Sequence, residues 1–216
     1  EQTGEHGEVA VTLVERTGLI HADLSVGANV TGATALAANI GLSFPGIEPH
    51  GKGFVISENE AVLVGLGSVP GLECHIREYR NGRDLTDEPR GVKVIDLFGL
   101  AADEVRQRFP TIYQWLYDRV KPERDLNPRP SRRDSWWIFG EPCTKFRAAL
   151  PPLKRYIATV KTAKHRVFQF LDSSVLPDSK LIAIVKDDAF TLGVLSSCLH
   201  LTWSLATGST LEDRPT

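Results

Sequence analysis

The sequence contains no methionine and only three cysteines, Cys74, Cys143 and Cys198, odd in number and far apart. Thiols so placed exclude the paired framework of a small secreted scaffold and predict reduced side chains in a cytoplasm. No apolar run approaches the roughly 18 residues that span a bilayer, so no membrane partner is expected. The first residues (Glu1, Gln2, Glu5, Glu8) carry the opposite charge to a secretory or transit peptide. There is no repeat at a fixed period and no low-complexity tract. A chain of 216 residues is long enough for one large domain or two small ones. Because it starts without methionine, it is expected to be cut from something longer.

Catalytic constellations are also missing. Gly46-Ile47-Glu48-Pro49-His50-Gly51-Lys52-Gly53 follows a phosphate-binding loop up to its last position, where Gly53 replaces the hydroxyl that holds magnesium. The residues after it, Phe54-Val55-Ile56, read as a strand, so no helix N-terminus faces the phosphates. Cys74 and His75 are adjacent, and Cys198 and His200 are two apart on a helix. Neither pair points both ligands to one side, and there is no CxxC or HxxxH, so no metal site is expected. Ser196, His200 and Asp187 could compose a hydrolytic triad only from within a helix, without a strained GxSxG turn. The carboxylates Asp187 and Asp188 read instead as a helix N-cap. Methyl transfer to a base amino group needs an Asn/Asp/Ser-Pro-Pro-aromatic loop and a glycine-rich strand–helix turn for S-adenosylmethionine. Asn127-Pro128-Arg129-Pro130 matches the former only in outline. The chain alone is therefore expected to have no catalytic residues, no metal and no cofactor.

What is present is a segregation of charge. Residues 1–117 carry 9 Lys/Arg and 16 Asp/Glu (net −7), residues 118–166 carry 13 and 5 (net +8), and residues 167–216 carry 3 and 6 (net −3). A strongly basic window inside an acidic protein is an electrostatic footprint. Its cations include Arg124, Arg129, Arg132, Arg133, Lys145, Arg147, Lys154, Arg155, Lys161, Lys164 and Arg166, with His165 among them, interleaved with Trp136, Trp137, Phe139 and Tyr156. Arg and Lys neutralise phosphates, and Arg can pair with a guanine edge through two hydrogen bonds. The alternative for the cations is a solvated face, and for the aromatics it is core packing.

Patterning predicts strands over 8–15 (Val9, Val11 and Leu13 on one side), 53–56, 74–79, 92–98, 136–139, 156–160, 167–171 and 181–185, the last four in one sheet. In a strand, Trp136 and Trp137 would face opposite ways, one buried and one exposed. A short helix is expected over 33–38. Ser57-Glu58-Asn59-Glu60 is a capping box that should start a helix reaching Leu66. Further helices are expected over 101–109, from Pro110 to Val120, and from Phe190 to about Ala206. The last carries an apolar stripe of Leu192, Leu195, Leu199 and Trp203. Asn81-Gly82 reads as a tight turn, and Pro122, Pro128 and Pro130 should make 121–133 an extended arm. Strands and helices mix without a βαβ rhythm, so the class is α+β, a mixed sheet with several flanking helices. Two lobes are expected: an acidic one over 1–121, and a basic recognition lobe over 122–216 ending in a long helix, joined near the proline-rich arm 122–130.

Several segments taken in order resemble one family. Lys121-Pro122-Glu123-Arg124 leads to Arg132-Arg133-Asp134-Ser135-Trp136-Trp137-Ile138-Phe139-Gly140-Glu141. Arg155-Tyr156-Ile157-Ala158-Thr159 and Lys164-His165-Arg166-Val167-Phe168 follow, and then Leu192-Gly193-Val194-Leu195-Ser196-Ser197 with His200 and Trp203. Upstream lie Gly51-Lys52-Gly53-Phe54-Val55-Ile56-Ser57 and Tyr79-Arg80-Asn81-Gly82-Arg83-Asp84-Leu85. Together they resemble the part that follows the methyltransferase domain in the large single-chain type II restriction–modification enzymes, which fuse endonuclease, adenine methyltransferase and specificity domain. The resemblance spans nearly the whole chain. It implies a target-recognition domain that binds duplex DNA beside the methyltransferase domain of the same polypeptide, with Tyr79, Arg80 and Asn81 joining the basic window at the DNA. The parent would methylate adenine N6 using S-adenosylmethionine. The acidic first half departs from a DNA clamp and is expected to contact protein. A nonspecific DNA- or RNA-binding module, a protein-interaction domain and a small hydrolase remain the other readings.

Overall fold

Residues 33–208 are described without a break by the computed structural model, together with 2, 3, 9, 10, 13–15, 17–20, 26, 210, 211, 214 and 215. The chain falls into two units, Glu1–Leu36 and Ala37–Thr216. In the first, β1 (Gln2–Thr3) pairs antiparallel with β2 (Val9–Ala10), and Ile20 bridges Val26. Of the strand expected over 8–15, Val9 lies in β2 and Leu13 lies in no strand, while Glu8 and Val11 are outside the described residues.

The second unit runs through β3 (Ser43–Pro45), β4 (Val55–Ile56), α1 (Glu58–Leu63), β5 (Ile76–Arg80), α2 (Gly82–Thr86), β6 (Lys93–Ile95), α3 (Ala102–Arg108) and α4 (Pro110–Arg119). It continues with α5 (Lys121–Asp125), α6 (Pro130–Asp134), α7 (Thr144–Ala149), β7 (Arg155–Val160), β8 (Phe168–Asp172), β9 (Leu176–Pro177) and β10 (Leu181–Ile184). The bent pair α8 (Ala189–Leu195) and α9 (Cys198–Thr207) follows, then β11 (Thr210–Leu211) and β12 (Arg214–Pro215). One sheet has the order β3-β10-β7-β8, antiparallel throughout; the other has the order β4-β6-β5-β9, with β5 and β9 parallel. The fold is α+β.

Local chemistry explains several boundaries. The Ser57 hydroxyl accepts from the Glu60 amide at 3.3 Å, and the Glu60 carboxylate accepts from the Ser57 amide at 2.8 Å, so α1 starts where the capping box places it. Pro110 opens α4, where its missing N–H leaves no helical bond unmade. The β-branched and aromatic run Arg155–Val160 forms the central strand β7, flanked by β8 and β10. Burial of Ile47, Phe54, Ile76, Val94, Leu116, Phe139 and Leu176 in one cluster ties the second sheet to α1, α3 and α4. A smaller cluster of Phe146, Leu150, Tyr156, Ala158 and Ala183 fixes α7 on the first sheet.

Several expectations are corrected. The stretch 121–133 is not an extended arm: prolines at the first turns of α5 and α6 start two short helices. Residues on both sides of 122 share one core, in which Trp136, Phe139 and Leu176 pack with Phe54 and Leu116; the division between units falls after Leu36. Trp136–Phe139 is a turn, not a strand. Asn81 is not the corner of a hairpin. Its side chain caps α2, accepting from the amides of Arg83 (2.9 Å) and Asp84 (3.3 Å). The long C-terminal helix is broken and bent by 54° at Ser196-Ser197, because the Ser197 hydroxyl caps a new start at α9. Over 33–38 only Ala37 and Ala38 are helical, in a single 3-10 turn. No single helix among the described residues is long and apolar enough to cross a membrane.

Candidate nucleic-acid interface

Cations divide into those the fold consumes and those it leaves in water. Arg124 is consumed. Only 1% exposed, its guanidinium donates to the carbonyls of His50 (3.0 Å), Pro49 (2.9 Å), Ile138 (3.0 Å) and Arg132 (3.2 Å). It clamps the turn before β4 to the segment after α6 and cannot reach DNA. Arg147 is consumed as well: it grips Asp96 through two bonds (2.7 and 3.0 Å) and donates from Nε to the Pro142 carbonyl at 2.6 Å. Asp96 also has Arg77 at 3.8 Å, so one buried carboxylate sits between two guanidinium groups. Trp136, 7% exposed, packs edge-on against Tyr113, Tyr117 and Trp137. Tyr79 is buried and donates to Asp178 at 2.5 Å; burial first, and then that carboxylate, push its hydroxyl pKa upward. Asn81 is occupied as the α2 cap. These five expected contacts are structural.

Most of the remaining candidates form two surface patches, and Lys154 and Arg155 lie apart from both. On α6, Arg129 and Arg133 are exposed, while Arg132 is held by Glu141 (2.8 Å) and His50 Nε2 (3.1 Å). Glu141 also lies 3.9 Å from Arg129, and Glu48 lies 3.3 Å from His50, so this patch is partly compensated. His50 reaches it from a left-handed backbone (φ 51°) and packs against Gly140, where a Cβ would come within 2.5 Å of the ring.

The second patch is the tip of the β7–β8 hairpin, residues 161–167. Lys161, Lys164 and His165 are exposed, and Arg166 is half-buried. Pairing of Leu181 with Val160 sets Lys180 beside Lys161, whose amide donates to the Lys180 carbonyl at 2.8 Å. α2 also abuts β7: a Cβ on Gly82 would lie 3.1 Å from Val160 Cγ1, which places Arg83 near the tip. Arg80, at the end of β5, pairs with Glu78 at 3.1 Å. At the far end of the hairpin Lys154 is exposed, and Arg155 lies 3.7 Å over the Phe170 ring while donating to the Asp187 carbonyl at 3.0 Å. The sequence carries no carboxylate between Glu141 and Asp172. Among the described residues no carboxylate lies within 4.0 Å of Lys161, Lys164, Arg166, Lys180 or Arg83. A groove of about 390 Å³ lined by Glu48, Glu141, Lys161 and Lys180 runs between the two patches. Such uncompensated charge suits a polyanion.

Lys180 and Arg83 were missed as site residues. Arg83 stands within the segment Tyr79–Leu85 singled out by its sequence, whereas Lys180 has no local signal: only the β7–β10 register brings it to the tip. The rejected constellations fold as ordinary structure. Gly46 packs against the Pro177 and Asp178 carbonyls, Ile47 is core, and Lys52–Phe54 forms a 3-10 turn leading into β4. His75 Nδ1 lies 3.0 Å from the Asp96 carbonyl oxygen, and His200 Nδ1 lies 2.7 Å from that of Leu195. Asp188 caps α8 through the Thr191 amide (2.7 Å). Asn127 accepts from the Arg129 amide at 3.0 Å in the turn before α6.

The sequence matches no protein-family model and no curated protein. Its fold is similar to that of part of a solved structure, the type IIL restriction–modification enzyme MmeI in complex with DNA. The TM-score is 0.64 at 18% identity, and the match covers 80% of this chain and 23% of that one.

Proposed function

We propose that the chain is the DNA target-recognition part of a site-specific, adenine-N6 DNA methyltransferase of restriction–modification type. It binds duplex DNA and selects the sequence to be methylated. S-adenosylmethionine is held and methyl is transferred by a methyltransferase domain of the same polypeptide, against which the acidic portion of this chain docks in the cytoplasm. The observation that carries this reading is the fold likeness to an enzyme seen on DNA, extending over 80% of the chain. The uncompensated cations of the hairpin tip and the exposed arginines of α6 support it. They supply the phosphate neutralisation that any DNA-binding surface needs.

The test is selection from a library of duplexes with a randomised centre, using the full chain as bait. A target-recognition domain enriches one short motif, and its affinity falls steeply with salt, with a log–log slope of roughly −4 to −5 for four to six phosphate contacts. Recovery of unrelated duplexes with no shared motif refutes the reading in favour of a nonspecific nucleic-acid module. A slope near zero removes the electrostatic basis altogether.

A further inference from the structure

We propose that the β7–β8 hairpin enters the DNA major groove tip first, with Lys164 and His165 meeting base edges and Arg166 acting as the residue that positions them. This inference rests on the target-recognition reading above. It assigns reading to one element and holding to another, which that reading does not.

Shape comes first. Two paired strands lie about 4.8 Å apart, so a ribbon with side chains on both edges suits a major groove about 12 Å wide but not a minor groove about 6 Å wide. β7 and β8 pair through Thr159 and Phe168, and the residues between them project beyond the sheet. The projecting segment 161–167 carries Lys161, Lys164, His165 and Arg166 and no acidic residue. The α6 patch has neither property. Its helix is one turn long, and its cations are balanced in part by Glu141 and Asp134.

The roles within the tip then separate by what each side chain already touches. Arg166 turns back into its own hairpin: Nη1 donates to the carbonyls of Val160 (2.9 Å) and Lys161 (3.1 Å), closing the neck of the loop. Its Nε is buried without a hydrogen-bond partner. A guanidinium spent in this way is not available to a base, but it holds the six residues from Lys161 to Arg166 in one conformation. Lys164 and His165, exposed at the apex, are left to donate to or accept from base edges; Lys donating to guanine O6 and N7 is a common pairing. Lys180 and Arg83 lie beside the neck, where they can meet phosphates next to the groove. Pre-organisation of a reading loop lowers the ordering cost of binding and sharpens discrimination.

The experiment repeats the duplex selection with the full chain and with three variants: K164A/H165A, R166K and R129A/R133A. It adds competition by enriched duplexes in which 7-deazaguanine removes the N7 acceptor of the major groove. The expected result is that K164A/H165A loses preference at one or two positions by about tenfold or more, the range of one good base contact. R166K keeps its charge, and so its salt slope, but broadens the same positions, because a flexible lysine stem does not hold its donor at both neck carbonyls as rigidly as the planar guanidinium does. R129A/R133A weakens binding to all duplexes alike and lowers the slope by about one per residue removed. The 7-deaza duplex weakens the wild type and not K164A/H165A. If the wild type enriches a motif and the hairpin variants keep it unchanged, or if 7-deaza substitution has no effect, the inference fails and the target-recognition reading stands. If the wild type enriches no motif, the reading itself fails and takes the inference with it.

Discussion

Replacing Arg124 with alanine separates the two roles this residue could have. In sequence it is one of a row of cations; in the fold it is a buried clamp whose hydrogen bonds reach carbonyls on three segments. Hydrogen bonds to a charged group contribute about 1.5–3 kcal/mol each, but four that share one guanidinium do not add. Alanine leaves the carbonyls of Pro49, His50, Ile138 and Arg132 without this donor and opens a cavity beside Phe54. Burial and the neighbouring Arg132 both work against the buried charge, lowering the Arg124 pKa, so part of the stabilisation is offset in the wild type. The net loss expected is about 3–5 kcal/mol, the range for breaking a buried charged network. With a urea m-value of about 2 kcal/mol per molar, the unfolding midpoint falls by about 1.5–2.5 M. Arg124→Lys should recover little, since three ammonium donors on a flexible stem cannot match the planar fork. The assay is urea denaturation followed by tryptophan fluorescence. A midpoint within about 0.3 M of wild type, together with a reduced salt slope in DNA binding, would refute the clamp and restore Arg124 to the DNA surface.

Trp136→Ala is expected to destabilise the fold by about 3–5 kcal/mol, because its indole fills the space between Tyr113, Tyr117 and Trp137; chemical denaturation reads this, and a stable variant defective only in DNA binding would contradict it. Asp84 governs acid sensitivity. Burial raises its pKa, but hydrogen bonds from Arg90 and the amides of Asn81 and Arg90 outweigh burial and hold the carboxyl at about 2, below the usual 3.8. Its folded-state pKa is thus depressed, so its contribution is present above pH 4 and is lost as pH falls toward 2. Thermal melts across that window should show Asp84→Asn less stable than wild type at pH 6 and nearly equal to it at pH 2, and a constant difference would refute the linkage.

Much of the local structure was legible in the sequence, because it depends on neighbours a few residues away. The Ser57–Glu60 capping box, Pro110 at the head of α4, and the strands over 156–160, 167–171 and 181–185 all rest on such short-range chemistry, and the α+β class follows from their mixture. The segregation of charge is a property of composition and survives folding: the exposed tip of the β7–β8 hairpin lies within the basic window. Where sequence reasoning misled, the partner was distant. Arg124 looks like its neighbours until Pro49, 75 residues earlier, supplies a carbonyl, and Arg147 until Asp96, 51 residues earlier, takes its guanidinium. The prolines near 122–130 read as breakers over a short window, yet Pro122 and Pro130 at helix first turns are starters. Lys180 joins the site only through a strand register. A cation's role is decided by whether the fold gives its hydrogen-bond donors somewhere to go, and that is a property of tertiary contacts, not of the residue or its neighbours in the chain.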